Sequence, residues 1–260
     1  MIAAGHHLSE PPDPPAACAL AIMAKASVPG VAKTRLSPPL SPAEAAACNT
    51  AFLRDVIDNV AAAAGQAPLQ GYLAYGPPGS RDFFDGLGPT LRRFEAWGGG
   101  LSEILTATLE RMFALGHPAA MVMNADSPTL PTAVLVEAAQ ALRDRDHLVI
   151  GPSEDGGYYL LGMRSLHRPL FEGIAWSTDA VFEQTLERAT SIGLPVHRLP
   201  RWYDVDDVAG LAALAEEVLD GRPRDASLAG WPAPHSATAL RALDASRLGS
   251  RGPFPPRRGP

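Results

Sequence analysis

The sequence predicts a three-layer α/β fold in which a mostly parallel central sheet lies between two layers of helices. Short apolar runs alternate with segments of helical period over about 200 residues, the order expected of parallel strands joined by crossover helices. Polar loops follow most of the apolar runs. They therefore lie at the carboxyl ends of strands, where sheets of this kind bind ligands.

Seven short apolar runs are predicted to form the strands. The first is a continuous apolar run that ends before Pro29 and Gly30, as a buried strand followed by a turn would. The predicted strands are residues 16–23, 69–75, 90–94, 119–123, 147–150, 158–163 and 196–199.

The first predicted helix has the clearest start. Ser41 is suited to an N-cap, Pro42 stands at the first helical position, and Glu44 follows three residues after the cap. Apolar residues then keep a 3.6 period to about residue 64. Further helices are predicted at 102–115, 131–143, 179–192 and 208–219, with Ser177 or Thr178 as the cap of the helix at 179.

Composition bounds the class of protein. The chain has 260 residues, 46% of them hydrophobic, and a net charge of −6, which argues against binding nucleic acid through a basic surface. No apolar run reaches the roughly 18 residues of a membrane span. Cys18 and Cys48 have neither a disulfide framework nor a metal-ligand spacing, so we expect buried thiols in a reducing compartment. A soluble, cytoplasmic protein is predicted.

The two ends differ from the middle. Residues 1–15 are rich in proline and are expected to be disordered, and residues 16–220 should form the domain. From residue 221 a tail rich in proline and arginine is expected to be largely disordered, with one short helix at 236–248. This tail has seven arginines and two aspartates, which gives it a net charge of +5. The remaining residues, 1–220, therefore have a net charge of −11. An acidic partner or a solvated terminus would explain this tail.

The distribution of lysine singles out the loop after the first strand. Of the 22 basic residues, twenty are arginine and two are lysine, Lys25 and Lys33. Together with Arg35 they supply point charges and a planar fork, a combination suited to a polyphosphate. The loop has no Walker sequence and no G-x-G-x-x-G pattern, which excludes a P-loop and a dinucleotide site. Chance clustering and a solvated basic loop stay open.

Two acidic segments follow later strands. Asp126 comes directly after an apolar strand, where a carboxylate can hold Mg²⁺ or cap the next turn. Asp204, Asp206 and Asp207 lie within four residues, and Asp206 or Asp207 could be the N-cap of the last helix of the domain. A divalent cation would explain the presence of a second acid, which would bind it as a ligand. If Asp126 and Asp206 converge, they form a metal site that binds nucleotide phosphate.

A glycine-rich acidic loop is the remaining candidate. Gly156 and Gly157 permit positive φ angles and close approach of main-chain N–H groups to a ligand. Glu154 and Asp155 could bind sugar hydroxyls or act as a base, and an acidic hairpin turn is the alternative. The chain has no nucleophile elbow, and its tryptophans are not interleaved with basic residues, so neither a serine hydrolase nor an RNA platform is indicated.

Taken together, these loops resemble a bacterial family of GT-A (Rossmann-like) fold labelled arsenosugar-biosynthesis glycosyltransferase-like. The resemblance covers roughly residues 17–220. More distantly, the layout is similar to the guanylyltransferases for molybdenum cofactor and for 2-phospholactate, and to sugar-acid cytidylyltransferases. Five ordered motifs carry it: MAKASVPGVAKTRL at 23–36, ADSPTLP at 125–131, GPSEDGGYYLLG at 151–162, IAWST at 174–178 and YDVDD at 203–207.

The resemblance implies a role for each motif. Lys25, Lys33 and Arg35 would hold the phosphates of a nucleotide, and Asp126 with Asp206 would bind Mg²⁺ or Mn²⁺. The acceptor side would consist of Asp155, Gly156, Gly157, Ser177 and Thr178. The segment 96–103 departs from the family, because it lacks the amide and the acid usual before the following helix.

The sequence therefore predicts a metal-dependent nucleotidylyltransferase that joins a nucleoside triphosphate to a phosphorylated small molecule. Lys33, Arg35 and Asp126 are the predicted catalytic residues. A glycosyltransferase that uses a nucleotide sugar and a non-catalytic nucleotide-binding protein are the alternatives. Because Lys33 and Asp126 are expected on exposed strand-end loops, replacing either should leave folding intact.

Overall fold

A seven-stranded sheet forms the centre of the structure, a computed structural model that describes residues 18–87 and 91–247. Its strands are β1 (Cys18–Lys25), β2 (Leu69–Gly76), β3 (Arg92–Glu95), β4 (Ala120–Met123), β5 (Leu148–Pro152), β6 (Tyr158–Met163) and β7 (Val196–Arg198). The helices are α1 (Pro42–Ala64), α2 (Arg81–Asp85), α3 (Leu101–Ala114), α4 (Thr132–Ala141), α5 (Val181–Ser191), α6 (Val208–Asp220) and α7 (Pro234–Arg247). Two short 3-10 helices span Thr34–Leu36 and Arg168–Phe171.

The strand order is β3-β2-β1-β4-β6-β5-β7. Strands β1, β2, β3 and β4 are mutually parallel, and β7 is parallel to β5. Only β6 runs antiparallel to both of its neighbours, β4 and β5. The carboxyl ends of β1, β4, β5 and β7 and the start of β6 therefore meet at one edge of the sheet, which confirms a mostly parallel sheet with the predicted loops gathered there.

Apolar side chains cover both faces of the sheet. Alternate residues of β1 point to opposite faces. Leu20 and Ile22 lie in a buried cluster with α1, α4 and α6, whereas Ala19 and Ala21 lie in a second cluster with α3 and α5. Because a central strand is covered on both faces, it is a continuous apolar run rather than an alternating one. Cys18 and Cys48 are both buried, as expected.

Two helix starts agree with the sequence. At α1, Ser41 Oγ accepts from the Glu44 amide at 3.3 Å and Glu44 Oε2 accepts from the Ser41 amide at 2.7 Å, a complete capping box. At α6, the Asp207 side chain accepts from the Gly210 amide at 2.9 Å. Asp207 is thus the N-cap, and Asp206 is left for another role.

The predicted start of α5 is wrong. Its N-cap is Ala180, whose side chain offers no acceptor. The Thr178 hydroxyl instead donates to the Ala175 carbonyl at 2.7 Å and accepts from the Ala180 amide at 3.3 Å, while Ser177 takes a positive φ of 63°. The residues expected as caps therefore form a separate tight turn before the helix.

Helix α7 lies in the segment from residue 221 and packs on the domain. Its first turn is held by Asp55 of α1, which accepts from the amides of His235 and Ser236 at 3.0 and 2.7 Å. Leu240 is buried in the same cluster as α1. The short helix expected at 236–248 is thus found at Pro234–Arg247. Residues 1–15 and 248–260 lie outside the described residues, as do residues 16 and 17 of the first predicted strand and residue 90 of the third.

Within the part of the chain that the structure describes, no helix is both long and apolar enough to cross a lipid bilayer.

Candidate functional site

A cavity of about 600 Å³ opens at the carboxyl edge of the sheet, between the loops after β1 and β4, the start of β6 and the start of α5. Nine of the residues predicted to form the acceptor, phosphate and metal sites line it: Lys25, Lys33, Arg35, Asp126, Asp155, Gly157, Ser177, Thr178 and Asp206. Gly156 instead lines a neighbouring pocket of about 260 Å³.

Lys33 links the two predicted metal ligands. Its Nζ lies 2.5 Å from Oδ1 of Asp126 and 2.8 Å from Oδ1 of Asp206, and it also donates to the Val205 carbonyl at 2.8 Å. These three acceptors match the three protons of an ammonium group. The Lys33 side chain is 6% exposed. The expectation that Lys33 is exposed is wrong, because its side chain turns inward between the two acidic loops.

The charge of Lys33 is maintained by its partners. Burial alone would lower the pKa of the Lys33 ammonium, but the carboxylates of Asp126 and Asp206 outweigh burial and raise this pKa above its ordinary value. The ammonium is therefore charged at neutral pH and neutralises part of a strongly acidic site.

Three carboxylates meet beside this ion pair. Oxygen atoms of Asp155, Asp204 and Asp206 lie within 4.8 Å of one another. Burial raises the pKa of Asp204 to about 7, and the negative charges of Asp155, Asp206 and Asp126 add to the effect. The sequence placed Asp155 on the acceptor side and gave Asp204 no role. The run of three acids marked the segment, but which side chain faces Asp155 depends on the path of the chain.

Main-chain and side-chain bonds bring the two acidic loops together. The Val205 amide donates to the Asp126 carbonyl at 2.8 Å. Behind it, Thr129 Oγ1 donates to the Tyr203 hydroxyl at 2.9 Å, and this hydroxyl donates to Glu217 Oε2 at 2.6 Å. The loop after β4, the segment before α6 and α6 itself therefore form one connected unit.

Asn49 of α1 holds the first loop. Its Nδ2 donates to the Lys25 carbonyl at 3.2 Å and to Ser27 Oγ at 2.8 Å. Asn49 is buried and also lines the cavity. The side chains of Lys25 and Arg35 are exposed at this side of the cavity. The sequence gave no sign of Asn49, which is one of two asparagines in α1.

The glycine-rich turn packs against the start of α5. Gly156 has φ +89°, and a Cβ atom there would lie 2.2 Å from the Asp179 carbonyl oxygen. The Phe182 amide donates to the Gly156 carbonyl at 2.9 Å, and the Gly157 amide donates to Asp155 Oδ1 at 2.9 Å. Only glycine combines this φ with this close approach, so the turn fixes where Asp155 stands.

An aromatic wall closes the opposite side. Tyr158 and Trp176 meet edge to face with ring centroids 6.3 Å apart, and the Trp176 indole donates to Ser102 Oγ at 2.8 Å. Leu101 and Leu105 of α3 extend this wall into the cavity. One end of the cavity is thus charged and the other largely apolar, as a site for a phosphorylated organic ligand would be.

The fold and the cavity at the sheet edge define the class: the structure has the GT-A-like fold of nucleotide-diphospho-sugar transferases. It is similar to a protein of Desulfovibrio desulfuricans G20 described as a candidate nucleotide-diphospho-sugar transferase, with 27% identity, 88% of this chain and 96% of that chain covered, and a TM-score of 0.76. The predicted fold class is confirmed.

Two further structures share the fold at lower identity. A nucleotidyl transferase of Methanothermobacter is 13% identical over 79% of this chain and 98% of that chain, with a TM-score of 0.51. A 4-diphosphocytidyl-2C-methyl-D-erythritol synthase of Anaerococcus prevotii is 12% identical over 78% and 98%, with a TM-score of 0.50. At such identity the likeness concerns the fold alone.

Residues 59–178 match the model of a family described as an uncharacterized protein conserved in bacteria, DUF2064. No curated protein matches the sequence.

Proposed function

We propose that the protein is a metal-dependent nucleotidylyltransferase that joins a nucleoside triphosphate to a phosphorylated small molecule and releases pyrophosphate. One observation carries the proposal. Two cations, two carboxylates that share an ammonium, and an aromatic wall all line one cavity at the carboxyl edge of the sheet. The cavity volume of about 600 Å³ suits a ligand of nucleotide size.

The exposed side chains of Lys25 and Arg35 are proposed to bind the phosphates. Both line the cavity on the side of the first loop. Lysine supplies a mobile point charge and arginine a planar fork that can bind two phosphate oxygens at once. Because residues 1–220 have a net charge of −11, these side chains supply local positive charge that an anionic nucleotide requires.

The acidic residues suit a divalent cation. Asp126 and Asp206 already hold a positive group between them, and Asp155 and Asp204 add hard oxygen donors close to Asp206. A bound Mg²⁺ or Mn²⁺ would neutralise negative charge on the α-phosphate. These four residues provide the donors, and the bond between Val205 and Asp126 keeps the two loops in register.

The proposed reaction is an in-line displacement. An oxygen of the acceptor phosphate forms a bond to the α-phosphorus, the bond from this phosphorus to the bridging oxygen breaks, and pyrophosphate leaves with the electron pair. A phosphate nucleophile is already ionised, so it needs no residue to remove a proton.

A glycosyltransferase that uses a nucleotide sugar is the second candidate. The similar protein of Desulfovibrio desulfuricans is described as a candidate nucleotide-diphospho-sugar transferase. The sequence resemblance to the arsenosugar-biosynthesis glycosyltransferase-like family agrees with a glycosyltransferase. A sugar hydroxyl would have to lose a proton, and Asp155 lines the cavity where it could accept that proton.

Product analysis separates the two reactions. The protein is incubated with Mg²⁺, each of the four nucleoside triphosphates and a panel of phosphorylated sugars and sugar acids, and pyrophosphate is measured. We expect pyrophosphate and a nucleotidylated product in equal amounts, both lost in Asp126→Asn. Sugar transfer from a nucleotide sugar without pyrophosphate would contradict the proposal, as would nucleotide binding with no turnover of either kind.

A further inference from the structure

The Lys33 ammonium lies where a cation bound by both Asp126 and Asp206 would have to compete with it. It contacts Oδ1 of each carboxylate at 2.5 and 2.8 Å. We propose that Lys33 is an internal counter-cation. It holds the two carboxylates together in the metal-free protein and releases them when a divalent cation binds. The proposal rests on the proposed function only in that this function includes the metal site.

The hydrogen bonding of Lys33 supports an exchange. Its three ammonium protons are matched by Asp126, Asp206 and the Val205 carbonyl. In this arrangement Lys33 has no donor left for a phosphate oxygen, although it lines the cavity. Lys33 can contact a phosphate only after it gives up a carboxylate. A divalent cation at Asp126 and Asp206 would make that release favourable, because it would take over the same oxygens.

The balance of charge also favours an exchange. Four carboxylates, those of Asp126, Asp155, Asp204 and Asp206, interact here, and Lys33 is the cation in contact with two of them. One ammonium cannot neutralise four carboxylates. A divalent cation would neutralise more of this charge than Lys33 does.

The surroundings of Lys33 allow it to move. Its four-carbon side chain has several rotatable bonds, unlike the rigid fork of arginine. The loop before it turns at Gly30, which has a positive φ of +76°. Lys33 itself has φ 51° and stands at the start of the 3-10 helix Thr34–Leu36.

The scarcity of lysine provides a direct test. The chain has two lysines, Lys25 and Lys33, so protein labelled with ¹³C and ¹⁵N in its lysines gives two side-chain ammonium signals. Lys25→Arg assigns them. In the metal-free protein we expect Lys33 to give the slowly exchanging signal of a buried, hydrogen-bonded ammonium. Mg²⁺ should shift this signal toward that of a solvated lysine, and adding a non-hydrolysable nucleoside triphosphate should shift it again.

The exchange is overturned if the Lys33 signal stays unchanged while calorimetry shows Mg²⁺ saturating its site. Absence of Mg²⁺ and Mn²⁺ binding up to millimolar concentration would overturn it as well. Both readouts are independent of turnover. A failed pyrophosphate assay with a moving Lys33 signal would therefore reject the proposed reaction and keep the counter-cation.

A second measurement uses metal affinity. Lys33→Met removes the competing charge and keeps an unbranched side chain. We expect this variant to bind Mn²⁺ about tenfold more tightly or more, with the affinity measured by electron paramagnetic resonance. Lys25 lines the same cavity but makes no ion pair with Asp126 or Asp206. Lys25→Met should therefore change the Mn²⁺ affinity by less than about threefold. Equal gains in both variants would indicate a general charge effect and reject the exchange. Lys33→Arg, which keeps the charge, should not gain affinity.

Discussion

The main-chain amide of Val205 donates to the main-chain carbonyl of Asp126 across 2.8 Å. This bond joins the loop after β4 to the segment before α6, two stretches far apart in the sequence. As a consequence, Asp126 and Asp206 approach Lys33 from two sides. The convergence that defines the candidate site is thus held by the backbone, and side-chain substitutions can test the site without dismantling the loops.

Asp206→Asn should lower turnover by about 10² to 10³-fold, because it removes charge that the transition state of phosphoryl transfer depends on. Asp207→Asn is the matched control. Asp207 is the N-cap of α6, and asparagine caps helices as well as aspartate does. Rates of nucleotide turnover are compared at saturating Mg²⁺. Equal losses in both variants would place the function of this segment in the helix start rather than in the site.

Lys33→Met should cost about 1–3 kcal/mol of unfolding free energy in the absence of metal, because it leaves two carboxylates facing each other without their shared partner. Urea denaturation measures this cost. Mg²⁺ should recover more stability in Lys33→Met than in the wild type. Lys25→Met should stay within about 0.5 kcal/mol of the wild type, since the Lys25 side chain is exposed. An unfolding free energy of Lys33→Met equal to that of the wild type would contradict a stabilising role for the buried ion pair.

The contribution of Asp204 to the stability of the metal-free protein should fall as the pH rises from about 4 to about 7. The pKa of Asp204 is about 7 in the folded protein and near 4 in an unfolded chain. Between these values the folded state keeps a proton that the unfolded chain has lost. Raising the pH therefore removes stability, by about 1–3 kcal/mol in all.

Urea denaturation at pH 5 and pH 7 tests this dependence, with Asp204→Asn as the comparison. The asparagine does not titrate, so the difference between the two pH values should shrink in this variant. An unchanged pH dependence would show that Asp204 titrates normally.

Gly156→Ala should be more harmful than Gly79→Ala, although both glycines have similar positive φ angles of +89° and +82°. At Gly79 nothing lies within 4 Å of the added Cβ, so the cost is the backbone strain of about 1 kcal/mol. At Gly156 the Cβ would lie 2.2 Å from the Asp179 carbonyl, so the turn has to shift. Thermal melts and nucleotide-turnover assays compare the two. Equal effects would show that the turn tolerates displacement.

Asp55→Ala should detach the first turn of α7 and cost about 2 kcal/mol of stability. Asp55 is buried and accepts two main-chain N–H bonds and the hydroxyl of Ser236. Hydrogen exchange should increase across α7 and little elsewhere. Asp58→Ala, which removes only the contact with the His235 ring at 3.0 Å, is the control and should have a small effect. Unchanged exchange in Asp55→Ala would contradict a capping role.

Much of the fold could be predicted because local chemistry decides it. The Ser41–Glu44 capping box and the buried apolar run of β1 are visible in a few neighbouring residues. Helix α2 was not predicted, since five residues are too few to show a period. The cap of α5 was wrong because Thr178 bonds within its own turn.

For the candidate site, the sequence indicated which loops would meet but not which of their side chains would contact one another. Two scarce lysines marked one loop, and the sequence predicted a metal site on the condition that Asp126 and Asp206 converge; in the structure both contact Lys33. That Lys33 is buried between them, that Asp204 joins Asp155, and that Asn49 holds the loop from behind are all results of tertiary packing. No short stretch of sequence contains that information.

The central claim is that Asp126 and Asp206 hold the cation of a nucleotide complex. The most direct measurement is the anomalous diffraction of crystals soaked with Mn²⁺ and a non-hydrolysable nucleoside triphosphate. We predict a Mn²⁺ peak in contact with both carboxylates, with the phosphates on the side of Lys25 and Arg35. A nucleotide bound elsewhere, or a Mn²⁺ peak that contacts neither Asp126 nor Asp206, would contradict the account.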